Sequence, residues 1–403
     1  MNFMTFDAVI AVVAALLVFA TLPGTLYLLV LSLAGLRAPS RSADAAAVDP
    51  GVGSSSEKIA IVVPAHNESA GIAKTLANLC DIAGRDGAAC VVVIADNCDD
   101  DTAKIARTMG ARVLERKNSF RRGKGYALDW AFCRLKHEKF LAYLIIDADT
   151  IAEPNLLTAI RARFASGAQA VQTRYTVLNA EQSPRTRLAE LALLAFNCLR
   201  PRGRHALGLS AGILGNGFAL RRSLLEEIPY TATSVVEDLE YHLKLVGRGV
   251  KVEFADDTAV RGEMPVARHA QGTQRARWEG GRLRMLLDHG ATLARGVLLG
   301  QGRFLDPLLD LLLLPLGYHA LLLLCLALMP GIWGSTIGMF GLLVLALHVI
   351  AAARIGDVSL ARLGGIALQV PGYLLWKLGR LRSTLSASRA ATRWVRTARE
   401  TTL

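Results

Sequence analysis

The order of apolar and polar positions divides the chain into three stretches. Residues 8–36 and 311–353 carry no Lys, Arg, Asp or Glu, and between them short β-branched apolar runs alternate with segments of helical period. A crossing helix needs about 20 apolar residues. The first run therefore predicts one transmembrane helix, and the second is long enough for two, turning near Pro330-Gly331. A removable leader would carry basic residues ahead of its apolar core. Met1 to Asp7 has none, so the first run reads as a retained anchor.

The middle stretch predicts strands over 59–63, 91–94, 112–114 and 141–146, alternating with helices over 70–79, 102–109 and 125–135. Continuous apolar strands separated by helices specify an α/β unit with a mainly parallel sheet covered on both faces. Further on, the pattern predicts a helix over 184–199, a Gly-rich segment over 208–217 running into Phe218–Leu220, and a helix opened by Val236-Glu237-Asp238. A strand over 250–254 and a long basic amphipathic stretch over 266–289 follow. The expected organisation is an N-terminal transmembrane helix (1–36), a flexible linker (37–57) and a cytoplasmic domain (58–289). Two transmembrane helices (305–353) and an interfacial or re-entrant helix with a basic tail (354–403) complete it. Trp376, Lys377 and Arg380 are expected at the headgroup level.

Composition and charge refine this picture. Hydrophobic residues make up 52% of the chain and the mean hydropathy is +0.34, an excess concentrated in the uncharged runs. Arg37 and Arg41 follow the first run, Arg354 follows the second, and the tail from Lys377 holds six arginines against Glu400. By the positive-inside rule these sides are cytoplasmic. An outside N-terminus and three spans then place both the middle domain and the C-terminus inside, in an inner membrane. A net charge of +12 raises the question of nucleic acid. No nucleic-acid module is recognisable, aromatic residues are only 6%, and much of the excess lies beside the membrane segments. The six cysteines form no C-x-x-C pair, which argues against a disulfide framework or a zinc site.

Ligands of open α/β sheets bind beyond the carboxyl ends of the strands, so the polar strand exits are the places to look for chemistry. The first exit is Pro64-Ala65-His66-Asn67-Glu68, the second starts at Asp96, and the fourth is Asp147-Ala148-Asp149. Two carboxylates two residues apart at a strand end suit a hard cation such as Mg²⁺ or Mn²⁺ that completes its shell with phosphate oxygens. Asp96 suits a uracil or ribose edge, while Asp99, Asp100 and Asp101 suit the N-terminus of the next helix. Arg121-Arg122-Gly123-Lys124-Gly125 reads as a phosphate-cradling turn. Asp238 is the candidate general base, with Glu237 beside it. Gln274, Arg277 and Trp278 share adjacent helical faces, and an amide and a guanidinium there can grip a diphosphate while an indole stacks on a sugar.

Taken in order, Ile61-Val62-Val63-Pro64-Ala65-His66-Asn67-Glu68, Asp96, Asp147-x-Asp149, Glu237-Asp238 and Gln274-x-x-Arg277-Trp278 resemble glycosyltransferase family 2. The likeness is to the membrane-bound branch containing cellulose synthase, hyaluronan synthase and ceramide glucosyltransferase, and it covers about 58–289. It implies a GT-A nucleotide-sugar-binding domain flanked by transmembrane helices, a UDP-sugar donor, Mg²⁺ or Mn²⁺, and inversion at the anomeric carbon. It assigns Pro64, His66, Asn67, Glu68, Asp96, Lys124, Asp147, Gln274 and Arg277 to the donor, and Asp147 and Asp149 to the metal. Gly215, Asn216, Gly217, Glu237 and Trp278 go to the acceptor side, and Asp238 is the base. The expected reaction moves one sugar to a lipid-linked or saccharide acceptor, for cell-surface glycolipid or exopolysaccharide. The alternative is a processive polysaccharide synthase working with other polysaccharide-assembly proteins.

Overall fold

The computed structural model describes residues 6–39 and 57–389. Most of the expected linker at 37–57 and the last arginines of the tail lie outside these residues. Eight strands form one sheet: β1 Lys58–Ala65, β2 Ala89–Asp96, β3 Arg112–Arg116, β4 Phe140–Ile145, β5 Thr150–Ala152, β6 Ala170–Val177, β7 Phe218–Arg221 and β8 Val252–Gly262. Their order is β3-β2-β1-β4-β7-β6-β8-β5.

Helices α1 Phe6–Arg37, α2 Ile72–Asp86, α3 Thr102–Thr108, α4 Lys124–Leu135, α5 Leu156–Ala165, α6 Pro184–Leu193, α7 Arg200–Ala206 and α8 Arg222–Glu227 occupy the first half of the fold. They are followed by α9 Glu237–Gly247, α10 Arg268–Leu298, α11 Leu305–Leu312, α12 Leu316–Ala327, α13 Ile332–Ile355, α14 Leu360–Ala367, α15 Val370–Gly379 and α16 Leu381–Ala387. A π-helical stretch, Leu194–Leu199, joins α6 to α7.

The alternation of β1 explains the two layers. Ile59, Ile61 and Val63 pack with Leu76, Leu79 and Ile82 of α2 and Ile160 and Phe164 of α5. Ala60 and Val62 point the other way, joining Leu128 and Leu135 of α4 and Tyr241 and Leu245 of α9. Successive side chains of a strand leave on opposite faces, so a strand apolar at every position is buried on both. The parallel expectation holds for β1 with β2, β1 with β4, and β2 with β3. It fails at β7, which runs antiparallel to both β4 and β6. Beyond it, β6 and β8 pair in parallel, and β5 closes the edge antiparallel to β8.

Strand β8 is twice as long as its apolar run implied. Between Ala255 and Ala259 its register against β6 shifts, and Asp256 and Asp257 sit in the irregularity. Asp257 accepts from Arg163 at 3.1 and 2.7 Å, and Asp256 is paired with Arg202 and Arg174. Those partners are what let two carboxylates stand inside a buried strand.

Among the described residues, two helices are long and apolar enough to cross a membrane, Asp7–Arg37 and Ile332–Ile355, with mean hydropathy 2.4 and 2.2. Gly302–Leu312 and Leu316–Ala327 make a pair bent by 76°, a third span if counted as one. The second uncharged run is thus interrupted at Pro315, as well as at the expected turn near Gly331. Polar contacts tie this bundle together: Thr25 to His319 at 3.0 Å and Ser32 to His348 at 2.8 Å.

The C-terminal half buries two basic side chains. Lys377 is 1% exposed and ion-paired with Glu279 of α10. Arg282, in the basic stretch, donates to the Asp310 carboxylate at 3.0 Å.

Candidate active site

The exits of β1 and β2 are laced together. His66 Nδ1 lies 2.7 Å from the Asp96 carbonyl, and the Asn67 side-chain oxygen accepts the Asp99 N–H at 2.8 Å. Asn67 adopts φ 56°, a left-handed conformation that Asn tolerates better than most residues. The Glu68 N–H donates to Thr102 Oγ1 at 2.8 Å. Of the three expected cap carboxylates, Asp100 does the capping, accepting from the N–H groups of Ser69 and Thr102 at 3.0 Å each. Burial works against its charge, but these bonds and the Thr102 hydroxyl hold its carboxyl down at about 2.

Asp96 is buried and accepts from Arg116 Nη1 at 2.5 Å and Asn97 Nδ2 at 2.9 Å, both on one oxygen. Arg116, at the exit of β3, also donates to the Arg121 carbonyl at 2.7 Å. It was missed in the sequence because only exits with carboxylates drew notice. With Lys117, Asn118, Tyr126 and Trp130 it lines a cavity of about 380 Å³ between β3 and α4.

The Asp147-Ala148-Asp149 turn follows β4 and is held from three sides. The Asp147 N–H donates to Asn216 Oδ1 at 3.1 Å, Asn216 Nδ2 donates to Thr150 Oγ1 at 2.8 Å, and Thr75 Oγ1 donates to the Ala148 carbonyl at 2.9 Å. Asn216 is itself seated by Gln172, whose amide donates to the Asn216 carbonyl at 2.8 Å and accepts the Leu214 N–H at 2.9 Å. Asn216, expected on the acceptor side with Gly217, is 1% exposed with its amide committed to the carboxylate turn, and a Cβ on Gly217 would overlap Thr173. Gly215 does reach the cleft, where a Cβ would stand 3.0 Å from Asp238 Oδ2.

Lys124 opens α4 and donates to the Asp147 carboxylate and the Gly215 carbonyl. Gly125 permits this, because any side chain there would strike the Ala232 carbonyl. Burial acts to lower the Lys124 ammonium, but the charges of Asp147 and Glu237 outweigh it and raise the pKa. Glu237 and Asp238 start α9. Burial, with the charge of Asp238 beside it, pushes Glu237 up to about 7, and burial raises Asp238 as well. Lys124 opposes both shifts. Burial lowers the Arg277 guanidinium of α10, countered by the nearby charges of Glu237, Asp147 and Asp238. Gly281, one turn on from Arg277, lets α10 close to within contact of Val236, the residue before the acid pair. Gln274 is half-buried on the same helix. Trp278 packs beside Val177, Ala189 and Met264.

Five expected residues therefore converge: Asp147, Glu237, Asp238, Lys124 and Arg277, with Asp149 on the same turn. Among the described residues no group of three or more His, Cys, Asp or Glu is arranged to cage a cation. A carboxylate pair without a full cage, beside a lysine and an arginine, fits an ion that shares its shell with phosphates.

The family described as glycosyltransferase-like family 2 matches residues 57–281, more than half of the chain. The chain belongs to that family. A probable glycosyltransferase of Bacillus subtilis, YdaM, is 24% identical over 233 residues, covering 56% of this chain and 55% of that protein. The beta-monoglucosyldiacylglycerol synthase of Trichormus variabilis is 29% identical over 238 residues, covering 57% of this chain and 50% of the synthase. The match thus spans about half the length of these relatives. Among solved structures, the mannosyltransferase PcManGT from Pyrobaculum calidifontis, in complex with GDP-Man and Mn²⁺, superposes with a TM-score of 0.53 at 18% identity. It covers 86% of this chain and 98% of that one, a likeness of fold. This family 2 glycosyltransferase has the GT-A-like α/β domain, with apolar helices at both ends of it.

Proposed function

We propose that this chain is an inverting, metal-dependent transferase that moves a sugar from a UDP-sugar to a lipid-linked acceptor at the cytoplasmic membrane face. The observation that carries the reading is the convergence of Asp147, Glu237 and Asp238 on Lys124 and Arg277, with Asp149 two residues along the turn from Asp147. Direct displacement at an anomeric carbon needs a carboxylate beside the acceptor hydroxyl to take its proton as the bond forms. Asp238 has that place. Its raised pKa makes it a stronger base than an ordinary carboxylate, and Gly215 leaves its oxygens uncovered by a side chain.

Asp149 and Asp147 would hold Mg²⁺ or Mn²⁺, which when bound neutralises charge on the departing diphosphate. Arg277 and Gln274 grip that diphosphate, with Lys124 on its other side through Asp147. The β1 exit (Pro64, His66, Asn67, Glu68) and Asp96 shape the nucleoside end, where Arg116 holds the Asp96 carboxylate by one oxygen. Glu237 and Trp278 border the acceptor.

The lipid acceptor is supported by the apolar helices that adjoin the domain and by the glucosyldiacylglycerol synthase among the relatives. The test is the full chain in lipid vesicles containing diacylglycerol, supplied with UDP-glucose, UDP-galactose or GDP-mannose in turn, reading nucleotide release and the mass of any lipid product. A glycosylated lipid made from a UDP-sugar supports the proposal. Release without a lipid product, or product from GDP-mannose alone, overturns the acceptor or the donor respectively.

A further inference from the structure

Four consecutive residues of α10 point at four different neighbours. Glu279 pairs with Lys377 of α15, Gly280 lies against Ala387 of α16, Gly281 against Val236, and Arg282 against Asp310 of α11. They begin one residue past Trp278 and two past Arg277. The same short segment therefore touches the residue before the acid pair on one side and the C-terminal helices on the other.

The Glu279–Lys377 pair is unusually enclosed for two long charged side chains. Lys377 is 1% exposed, its ammonium lies 4.6 Å from the centre of the Tyr318 ring of α12, and the second Glu279 oxygen accepts from Thr384 at 3.4 Å. Around it, Arg275 donates to the Tyr373 hydroxyl at 2.9 Å. A buried ion pair seldom stabilises a fold more than apolar residues of the same volume would. What it supplies is geometry, because both partners must meet at one register or leave a charge buried alone.

Resting on the transferase reading above, we propose that Glu279 and Lys377 are positioning residues for sugar transfer. They fix the axial register of α10, and with it the place of Arg277 opposite Asp147, Glu237 and Asp238. Helices α12 and α15 thereby set the geometry of the diphosphate grip from the membrane side. Neither residue touches substrate.

The decisive comparison uses the full chain in vesicles and separates register from stability. In Glu279→Leu/Lys377→Met, the apolar pair keeps the fold but removes the register constraint. Its thermal midpoint should match the wild type, while kcat falls on the order of 10- to 100-fold, as expected for a clamp displaced by a fraction of an ångström. The swapped pair, Glu279→Lys/Lys377→Glu, restores a partner for each charge and should recover most of kcat. Wild-type kcat in the apolar double variant overturns the proposal, as does a folded swapped variant no faster than Lys377→Met alone. A wild-type protein that transfers no sugar would fail the transferase reading itself, a result distinct from either.

Discussion

The backbone N–H of Asp147 donates to the side chain of Asn216 at 3.1 Å, across 69 residues of chain. Asn216 then reaches past it to Thr150, so one buried amide spans the whole Asp147–Thr150 turn. The carboxylates that face the cleft are set by a residue that does not face it.

Asn216→Ala should accordingly cost both fold and function. Leaving the Asp147 N–H and Thr150 hydroxyl without this partner costs about 1–3 kcal/mol for each buried group left unsatisfied. Chemical denaturation should show that loss, and transfer should fall further than the stability change explains, because the metal-side turn loosens.

The pH profile tests the electrostatics of the acid pair. A general base works only when deprotonated, so activity rises with pH through its pKa. Burial raises both Asp238 and Glu237, which places the acid limb of kcat above the ordinary carboxylate range. Lys124 favours their charged forms, so Lys124→Met should move the limb to higher pH still. A limb that moves down, or stays, would show that the lysine does not act on the base.

Asp149→Ala should abolish transfer while leaving the thermal midpoint near that of the wild type, since the change removes the proposed cation ligand and not core packing. Chelator should silence the unmutated protein, reversibly with added Mg²⁺ or Mn²⁺. Full turnover in excess chelator would contradict the metal-dependent reading.

Topology follows from the arginines. A cysteine at Ser388, just after α16, should be labelled from the cytoplasmic side, and one at Ser335, near the start of α13, from the outside. Labelling of Ser388 from the outside would put the catalytic domain on the side without nucleotide sugars.

Much of the catalytic half could be read in advance, because its strands are apolar at every position and end in polar residues. That is why β1, β2 and β4 and their exits were found within a few positions. Strand β6 was not, since Gln172, Thr173 and Arg174 interrupt its apolar pattern while being buried by partners from distant segments. The same reason hid the length of β8 with its Asp256 and Asp257. The ion pairs of Arg200, Arg204 and Arg282 were not legible either, because a sequence shows charge without its partner. In the fold, Asp310 takes Arg204 at 2.5 Å and Arg282 at 3.0 Å, and Asp306 takes the Tyr27 hydroxyl at 2.7 Å. The support that Asn216 gives the carboxylate turn was not legible, since its partners Asp147 and Thr150 lie 69 and 66 residues away in the chain.

In the proposed reaction Asp238 takes the proton of the acceptor hydroxyl. The most direct measurement is the transfer rate of Asp238→Asn beside the wild type, in the same vesicles, after calorimetry has shown that both bind nucleotide diphosphate equally. Asparagine keeps the shape and loses the basicity. Turnover should fall by about 10²–10⁴, the usual contribution of general-base catalysis, with donor affinity unchanged. Ordinary turnover in Asp238→Asn would contradict the account and return the acid pair to a structural role at the start of α9.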